Sequence, residues 1–250
     1  LSLPDVLRWY MERVFPTSRR LHRAVAPVLG RVTSLPVAGD AVFGSAERFY
    51  SRLDGVRDVL ADTGRTSVRL VVNPERMVIA EARRTATYLS LFGYGIDAVI
   101  ANRVLPDEIS DPWFDRWKQS HAEHLGTIEE GFAPLPVLRA DLADDEIVGL
   151  DRLQDLGAAL YGERGPAERL HDGAPMRIDS DGGRVALHLD LPFADRDEVD
   201  LSRHHDELLV TVGPYRRSMV LPDSLRRREV TGARLRDGVL RVDFDPEDTR

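Results

Sequence analysis

Lysine is almost absent from this sequence, and its scarcity limits the nucleotide chemistry that the chain can perform. The only lysine among 250 residues is Lys118, in the segment DPWFDRWKQS, far from any glycine-rich turn. A Walker A loop needs glycines whose N–H groups surround the phosphates, followed directly by a lysine and a Ser or Thr. No segment has this pattern, so we expect the chain alone to be inactive as an ATPase.

Cysteine, long apolar runs and an excess of positive charge are also missing. Without cysteine there is no disulfide, thiolate nucleophile or cysteine-ligated zinc. No apolar run approaches the about 20 residues of a membrane-spanning helix, and no secretory leader is present, so we expect a cytoplasmic protein without a transmembrane segment. A net charge of -8 disfavours nucleic acid as a partner.

The order of hydrophobic patterns predicts an α/β part followed by an all-β part. A helical subdomain is expected over about 3–62, and then a strand, a helix and a second strand, the order of a parallel crossover. Both strands are nearly continuous in apolar residues, as in a parallel sheet covered on both faces. Further elements are predicted as a helix over 112–131, an apolar piece at Leu135–Leu138, and a helix capped by Asp144 or Asp145 and ending near Tyr161.

The glycine- and proline-rich segment GERGPAERLHDGAP separates the two parts. After it, apolar residues alternate with polar ones, beginning at Arg184–Leu191, which predicts an antiparallel β-sandwich. We therefore divide the chain into 1–161, a linker at 162–174, and a sandwich at 175–246.

The segment VVNPERMVIAEARRT, followed by FGYGIDAVIANRVLP, resembles the ArsA-type anion-pump and tail-anchored-protein-targeting ATPases. The resemblance covers about residues 1–161 and implies the later portion of a P-loop ATPase domain, an incomplete parallel sheet that begins mid-domain. It implies that the parent protein binds ATP and Mg²⁺ and hydrolyses ATP. It also implies that this part supplies only the edge of the site that contacts adenine.

Three nucleotide-binding candidates follow from this resemblance. Asn102 ends the second strand, where the family's asparagine hydrogen-bonds adenine; an amide suits this role because it carries a donor and an acceptor. The alternative for Asn102 is a turn cap. Glu75 faces either the nucleotide or a dimer seam, or it is an acidic residue favoured by the helix dipole. Pro136 is expected after the next strand. It lies either where the chain of the family passes the adenine or in a plain turn.

A second resemblance, to the α-crystallin or small heat-shock domain, covers residues 175–245. It depends above all on ARLRDGVLRVDF, where Ala233, Gly238, Val239 and Leu240 match the family signature and Gly238 is expected to form a tight turn. The family's terminal Ile-x-Ile hook is absent, so we do not expect large chaperone oligomers.

The departures from both families keep two functions open. The chain has no thiolates for arsenite and no Cys-x-x-Cys zinc clasp, and we predict no metal site. One hypothesis is an ATPase part that couples nucleotide state to ion or client handling; the other is a non-catalytic, chaperone-like adaptor. Candidate partners are a nucleotide, a protein client bound by the helices of 3–62, and a second copy in a homodimer.

Overall fold

The computed structural model describes residues 45, 48, 49, 55, 56, 58–181 and 184–245. The described positions from 45 to 61 are helical, as the sequence predicts for the end of the helical subdomain. The rest of the predicted subdomain over about 3–62, and with it the predicted client surface, lies outside the described residues.

The first part of the described chain is a three-stranded parallel sheet in the order β1-β2-β3 with helices between the strands. The central strand β2 is buried because its neighbours and the helices cover it, and Val99 and Ala101 are inaccessible to solvent. The elements are β1 (Val68–Val72), α1 (Arg76–Leu91), β2 (Ile96–Val104), α2 (Asp115–Phe132), β3 (Val137–Asp141) and α3 (Leu150–Tyr161).

Two sequence expectations in this part are wrong. The last helix begins at Leu150 with Gly149 as its N-cap, because the left-handed backbone of Gly149 at φ 92° separates it from the preceding turn. Asp144 therefore caps nothing and pairs instead with Arg152 at 3.6 Å. The third strand begins at Val137, two residues later than the apolar piece suggested, so Pro136 precedes β3 rather than following a strand.

A buried ion pair holds the glycine- and proline-rich segment against the sheet. Arg69 on β1 and Asp97 on β2 lie 3.3 Å apart, and the Asp97 side chain is only 1% exposed. Arg69 also donates to the carbonyls of Pro166 and Glu168, both at 2.6 Å. These two carbonyls accept from guanidinium donors that do not bond to Asp97, which helps the buried charged pair to be tolerated.

The second part consists of two antiparallel sheets whose apolar faces share one core. The sheet orders are β4-β5-β10-β9 and β6-β7-β8. The fold class predicted from the sequence, a parallel α/β part followed by an antiparallel sandwich, is confirmed. The elements are β4 (Met176–Asp181), β5 (Arg184–Asp190), β6 (Val199–His204), β7 (Glu207–Val212), β8 (Tyr215–Val220), α4 (Asp223–Arg226), β9 (Val230–Arg236) and β10 (Val239–Phe244).

The hairpin between β9 and β10 confirms the turn predicted at Gly238. Arg236 pairs with Val239, which leaves two residues in the loop. Asp237 and Gly238 both have positive φ, 50° and 72°. This is the conformation that matches the twist of a two-residue hairpin, and it favours glycine.

The two parts share one continuous hydrophobic core, formed largely where α1 meets the sandwich. The Thr87 hydroxyl donates to the Pro192 carbonyl, and the Arg83 guanidinium lies 5.4 Å from the Phe193 ring centre. The rings of Tyr88 and Tyr215 approach to 3.8 Å. α1 therefore has one face on the parallel sheet and another on the sandwich.

Candidate functional site

The strongest candidate site lies at the carboxyl ends of the parallel strands, where ligands bind in open α/β sheets. Asn73 directly follows β1, and Asn102 lies near the end of β2. The Asn102 amide nitrogen donates to the Asn73 side-chain oxygen at 3.4 Å. Within the described residues this is the only hydrogen bond of either side-chain amide, so donors and acceptors remain free for a ligand.

A cavity of about 210 Å³ opens beside this amide pair. Asn73 and Glu75 form one side of it, and Leu142, the residue after β3, lies on another. Part of the remaining wall is aromatic and exposed to solvent: Trp113 is 69% exposed and Trp117 is 51% exposed. Exposed indole rings beside free amide groups form a site for a flat, partly polar ring.

Glu75 is the N-cap of α1 and is exposed at the cavity. Its side chain makes no capping hydrogen bond, and the first turn of α1 contains no acidic residue. The carboxylate is therefore placed beyond the helix end, where it benefits from the helix dipole and remains free to accept a hydrogen bond from a ligand.

The strand β2 ends in an irregular segment that turns side chains toward the cavity. Arg103 has a left-handed backbone with φ 57°, and the pairing of β2 with β3 shifts between Asn102 and Val104. A non-glycine residue in this conformation costs about 1–2 kcal/mol. Arg103 lines the same cavity as Glu75 and adds a positive charge to it.

His121 on α2 forms the inner part of the cavity wall. Its Nδ1 accepts a hydrogen bond from the Leu105 N–H at 3.4 Å, which requires the neutral ring. Burial lowers the pKa of His121, and His124 lowers it further, while Glu75 partly opposes this change. The imidazole is thus held neutral beside the cavity.

The structure brings together two of the three residues that the sequence suggested. Glu75 lines the cavity, and Asn102 adjoins it through Asn73. Pro136 lies at the other edge: it precedes β3, and its carbonyl accepts from the Val99 N–H. Pro136 lies four residues before Ala140, the β3 residue that is paired with Asn102 in the sheet.

Sequence reasoning missed several members of the cavity wall. The segment DPWFDRW contains three aromatic residues shortly after an asparagine-ending strand, and this signal could have indicated a ring-binding wall. A correct position for the third strand would have placed Leu142 at its carboxyl end, and so at the cavity. Arg103 gives no signal in the sequence, because only the fold reveals its left-handed backbone.

Within the described part of the chain, no group of three or more His, Asp or Glu is placed to hold a metal ion. Lys118 forms no part of a phosphate loop, because its Nζ donates to the carbonyls of Asp107 and Ile109 at 2.8 and 3.1 Å. None of the described helices has the length and apolar character to cross a membrane.

Comparison with known proteins gives relatives over nearly the whole chain. An arsenical pump-driving ATPase, provisionally so named, of Aquifex aeolicus is 34% identical over 94% of this chain and 60% of its own length. One from Prosthecochloris vibrioformis is 34% identical over 99% of this chain and 62% of its own. An uncharacterized Streptomyces coelicolor protein is 37% identical over 99% of this chain and 62% of its own length. The chain thus spans about three fifths of the length of these relatives.

Among solved structures, the Del-C4 mutant of hsp14.1 from Sulfolobus solfatataricus P2 matches 30% of this chain and 77% of its own at 20% identity. Its TM-score of 0.24 is too low to indicate a shared overall fold.

Two family models match the chain in the order of its two structural parts. The model described as HSP20-like domain found in ArsA matches residues 182–244, which include most of the sandwich. The model described as anion-transporting ATPase, of the ArsA type, matches residues 1–162. The chain belongs to the ArsA family of anion-transporting ATPases and carries the HSP20-like domain found in that family.

Proposed function

We propose that this chain supplies the adenine-binding end of the ATP site in an ATP-hydrolysing protein of the ArsA family. The observation that carries the proposal is the contact between the Asn102 and Asn73 amides beside the aromatic-walled cavity. Adenine presents an amino donor and ring-nitrogen acceptors on one edge, and a free side-chain amide pairs with both.

The aromatic residues give this site a preference for a flat ring. Trp113 and Trp117 are more exposed than most large apolar side chains, and both line the cavity. Stacking of a base on an aromatic side chain contributes about 1–3 kcal/mol. In the proposed complex, Asn102 and Asn73 read the edge of the base, the indoles contact its face, and Glu75 accepts from its amino group.

The size of the cavity fits a base rather than a whole nucleotide. Its volume of about 210 Å³ is below the about 300 Å³ at which pockets for drug-sized ligands begin. The ribose and phosphates would therefore extend beyond it. We assign no Mg²⁺ ligand among the described residues, where no metal-holding group is found, and the proposal gives no contact to Pro136.

In the proposed whole protein, ATP binding and hydrolysis drive a conformational change that serves ion or client handling. Glu75 is the N-cap of α1, and α1 packs against the sandwich, so a change at the base-binding edge would reach the HSP20-like part through one helix. A protein client and a homodimer remain predictions that follow from the family resemblance.

The test compares nucleotide and phosphate binding in the full-length natural protein and its Asn102→Ala variant. We expect the variant to bind ATP about tenfold more weakly, because a lost bidentate base contact costs about 1–3 kcal/mol. Its affinity for inorganic tripolyphosphate should not change, because that probe has no base. Gln119→Ala, which removes an exposed amide from α2, is the control and should bind both probes normally.

Unchanged ATP affinity in the Asn102→Ala variant would show that the base-contact assignment is wrong. If the unmodified protein bound neither ATP nor tripolyphosphate, the adaptor function would be favoured instead.

A further inference from the structure

A second, larger cavity of about 380 Å³ lies between the parallel sheet and the sandwich. Its walls come from the end of α1, the start of β2, the loop after α2, and the β9–β10 hairpin. Ile96, at the first position of β2, lines it, whereas Asn102 lies six residues further along the strand. At a rise of about 3.3 Å per residue, the two sites are roughly 20 Å apart.

Two residues that line this cavity carry hydroxyl groups without a hydrogen-bond partner among the described residues. Ser90 is 7% exposed and Tyr94 is 5% exposed, and both line the cavity. Neither side-chain hydroxyl makes a hydrogen bond with any residue that the structure describes. Neither hydroxyl oxygen is among the fully enclosed polar atoms that lack a partner, so both can be reached from the cavity and can donate to or accept from a ligand there.

Apart from these hydroxyls, the inner walls are mostly apolar and partly aromatic. Phe132 and Phe193 meet edge to face with ring centres 5.1 Å apart, and both line the cavity together with Ala86 and Leu135. An aromatic ring can pack against such a pair in the same geometry. Mostly apolar walls with a few convergent polar groups are typical of small-molecule sites.

The arginine and aspartate side chains at the cavity rim are already paired, and the imidazole of His171 also lines the cavity. Arg177 and Asp190 form an ion pair at 2.9 Å, and Asp237 lies 3.7 Å from Arg236. An ionised ligand would therefore lose its hydration without gaining a free arginine or carboxylate as its counter-charge. The chemistry of the wall favours an uncharged ligand whose polar group can both donate and accept.

We propose that this cavity is a second ligand site, which binds a small, uncharged aromatic compound bearing a hydroxyl group. The hydroxyl bonds to Ser90 and Tyr94, and the ring packs against Phe132 and Phe193. Because the walls come from both structural parts, the ligand links the parallel sheet to the sandwich. The site is independent of ATP binding at the other end of β2.

The test uses phenol, with toluene as the matched probe that lacks the hydroxyl. Binding is followed on the ligand by saturation-transfer NMR, and thermal unfolding of each protein checks that it folds. We expect saturable phenol binding by the unmodified chain. The double variant Ser90→Ala, Tyr94→Phe should bind phenol at least about tenfold more weakly, which is about 1.4 kcal/mol, whereas toluene binding should not change.

The control double variant is Ser218→Ala, Tyr215→Phe. It also removes one serine and one tyrosine hydroxyl, but from β8, outside the cavity. It should bind phenol like the unmodified chain. Absence of saturable phenol binding, or an equal loss in both double variants, would overturn the proposal. If the first double variant fails to fold, Ser90→Ala alone is judged by the same criterion. Normal phenol binding by the Asn102→Ala variant would separate this site from the nucleotide site.

Discussion

Arg217 on β8 donates a hydrogen bond to the backbone carbonyl of Leu91, the last residue of α1. The Leu91 carbonyl has no partner within its own helix, as is general for the last turn, and it lies at the negative end of the helix dipole. A buried arginine from the sandwich satisfies it. The helix that follows the proposed base-binding edge therefore ends in contact with the HSP20-like part.

Replacing Arg217 with Met should destabilise the whole described fold. The change leaves the Leu91 carbonyl buried without its charged donor, which costs about 1–3 kcal/mol. Urea unfolding measures this loss. The control is Arg216→Met, the exposed neighbour on the same strand, which should unfold within about 0.5 kcal/mol of the original chain. Equal midpoints for the two variants would contradict a stabilising role of the contact.

Replacing Gly238 with Ala should weaken the β9–β10 hairpin. Its φ of 72° is unfavourable for a residue with a Cβ, and that atom would lie 3.3 Å from the Pro192 Cα. We expect a loss of about 1–2 kcal/mol in thermal or urea unfolding. Gly232→Ala is the matched control, because its Cβ would meet nothing within 4 Å and its φ is not positive. A loss of similar size at Gly232 would show that the turn geometry is not the cause.

His121 should make the stability of the chain depend on pH. Burial, reinforced by His124, lowers its pKa in the folded state from 6.5, so the unfolded chain binds the proton more readily. The stability from neutral His121 is therefore complete above pH 6.5 and is lost as the pH falls below that value. Unfolding free energies measured from pH 7.5 to 5.0 should fall less steeply in His121→Gln than in the unmodified chain.

His205→Gln, in the exposed turn between β6 and β7, is the control for the titration and should follow the unmodified profile. Parallel profiles for the His121→Gln variant and the unmodified chain would show that His121 does not contribute.

Lys118 should stabilise the fold and take no part in ATP hydrolysis. Its Nζ binds two carbonyls of the loop between β2 and α2, so Lys118→Met should lower the free energy of unfolding by about 1 kcal/mol. Residues 1–250 should show no ATP turnover with Mg²⁺, with or without this change. Turnover that is abolished by Lys118→Met would contradict the prediction.

Much of the fold was predictable because its patterns are local. The apolar runs of β1 and β2 and the alternation in β5 indicated a parallel sheet followed by a sandwich, and both are present. The strands β4 and β6 were not predicted: Met176–Asp181 and Val199–His204 contain few apolar residues on a single face. Their pairing with β5 and β7 stabilises them as strands.

The candidate nucleotide site was predictable only in part. Asn102 and Glu75 followed from the resemblance and from their places after or near strand ends. The position expected for Pro136, after a strand, was wrong because the apolar piece around it was taken as the strand, although β3 begins at Val137. Because β3 begins two residues later than expected, Pro136 lies at the amino end of the strand, at the edge of the sheet opposite to Asn102.

By itself, the sequence determined the order of the two parts, the tight turn at Gly238, the family, and the absence of a Walker A lysine loop. These depend on residue types at short spacings. Only the tertiary structure decided that Asn73 meets Asn102, that the last carbonyl of α1 accepts from Arg217, and that Ser90 and Phe193 line one cavity. Such contacts join residues that are distant in sequence or come from separate elements, and packing alone brings them together.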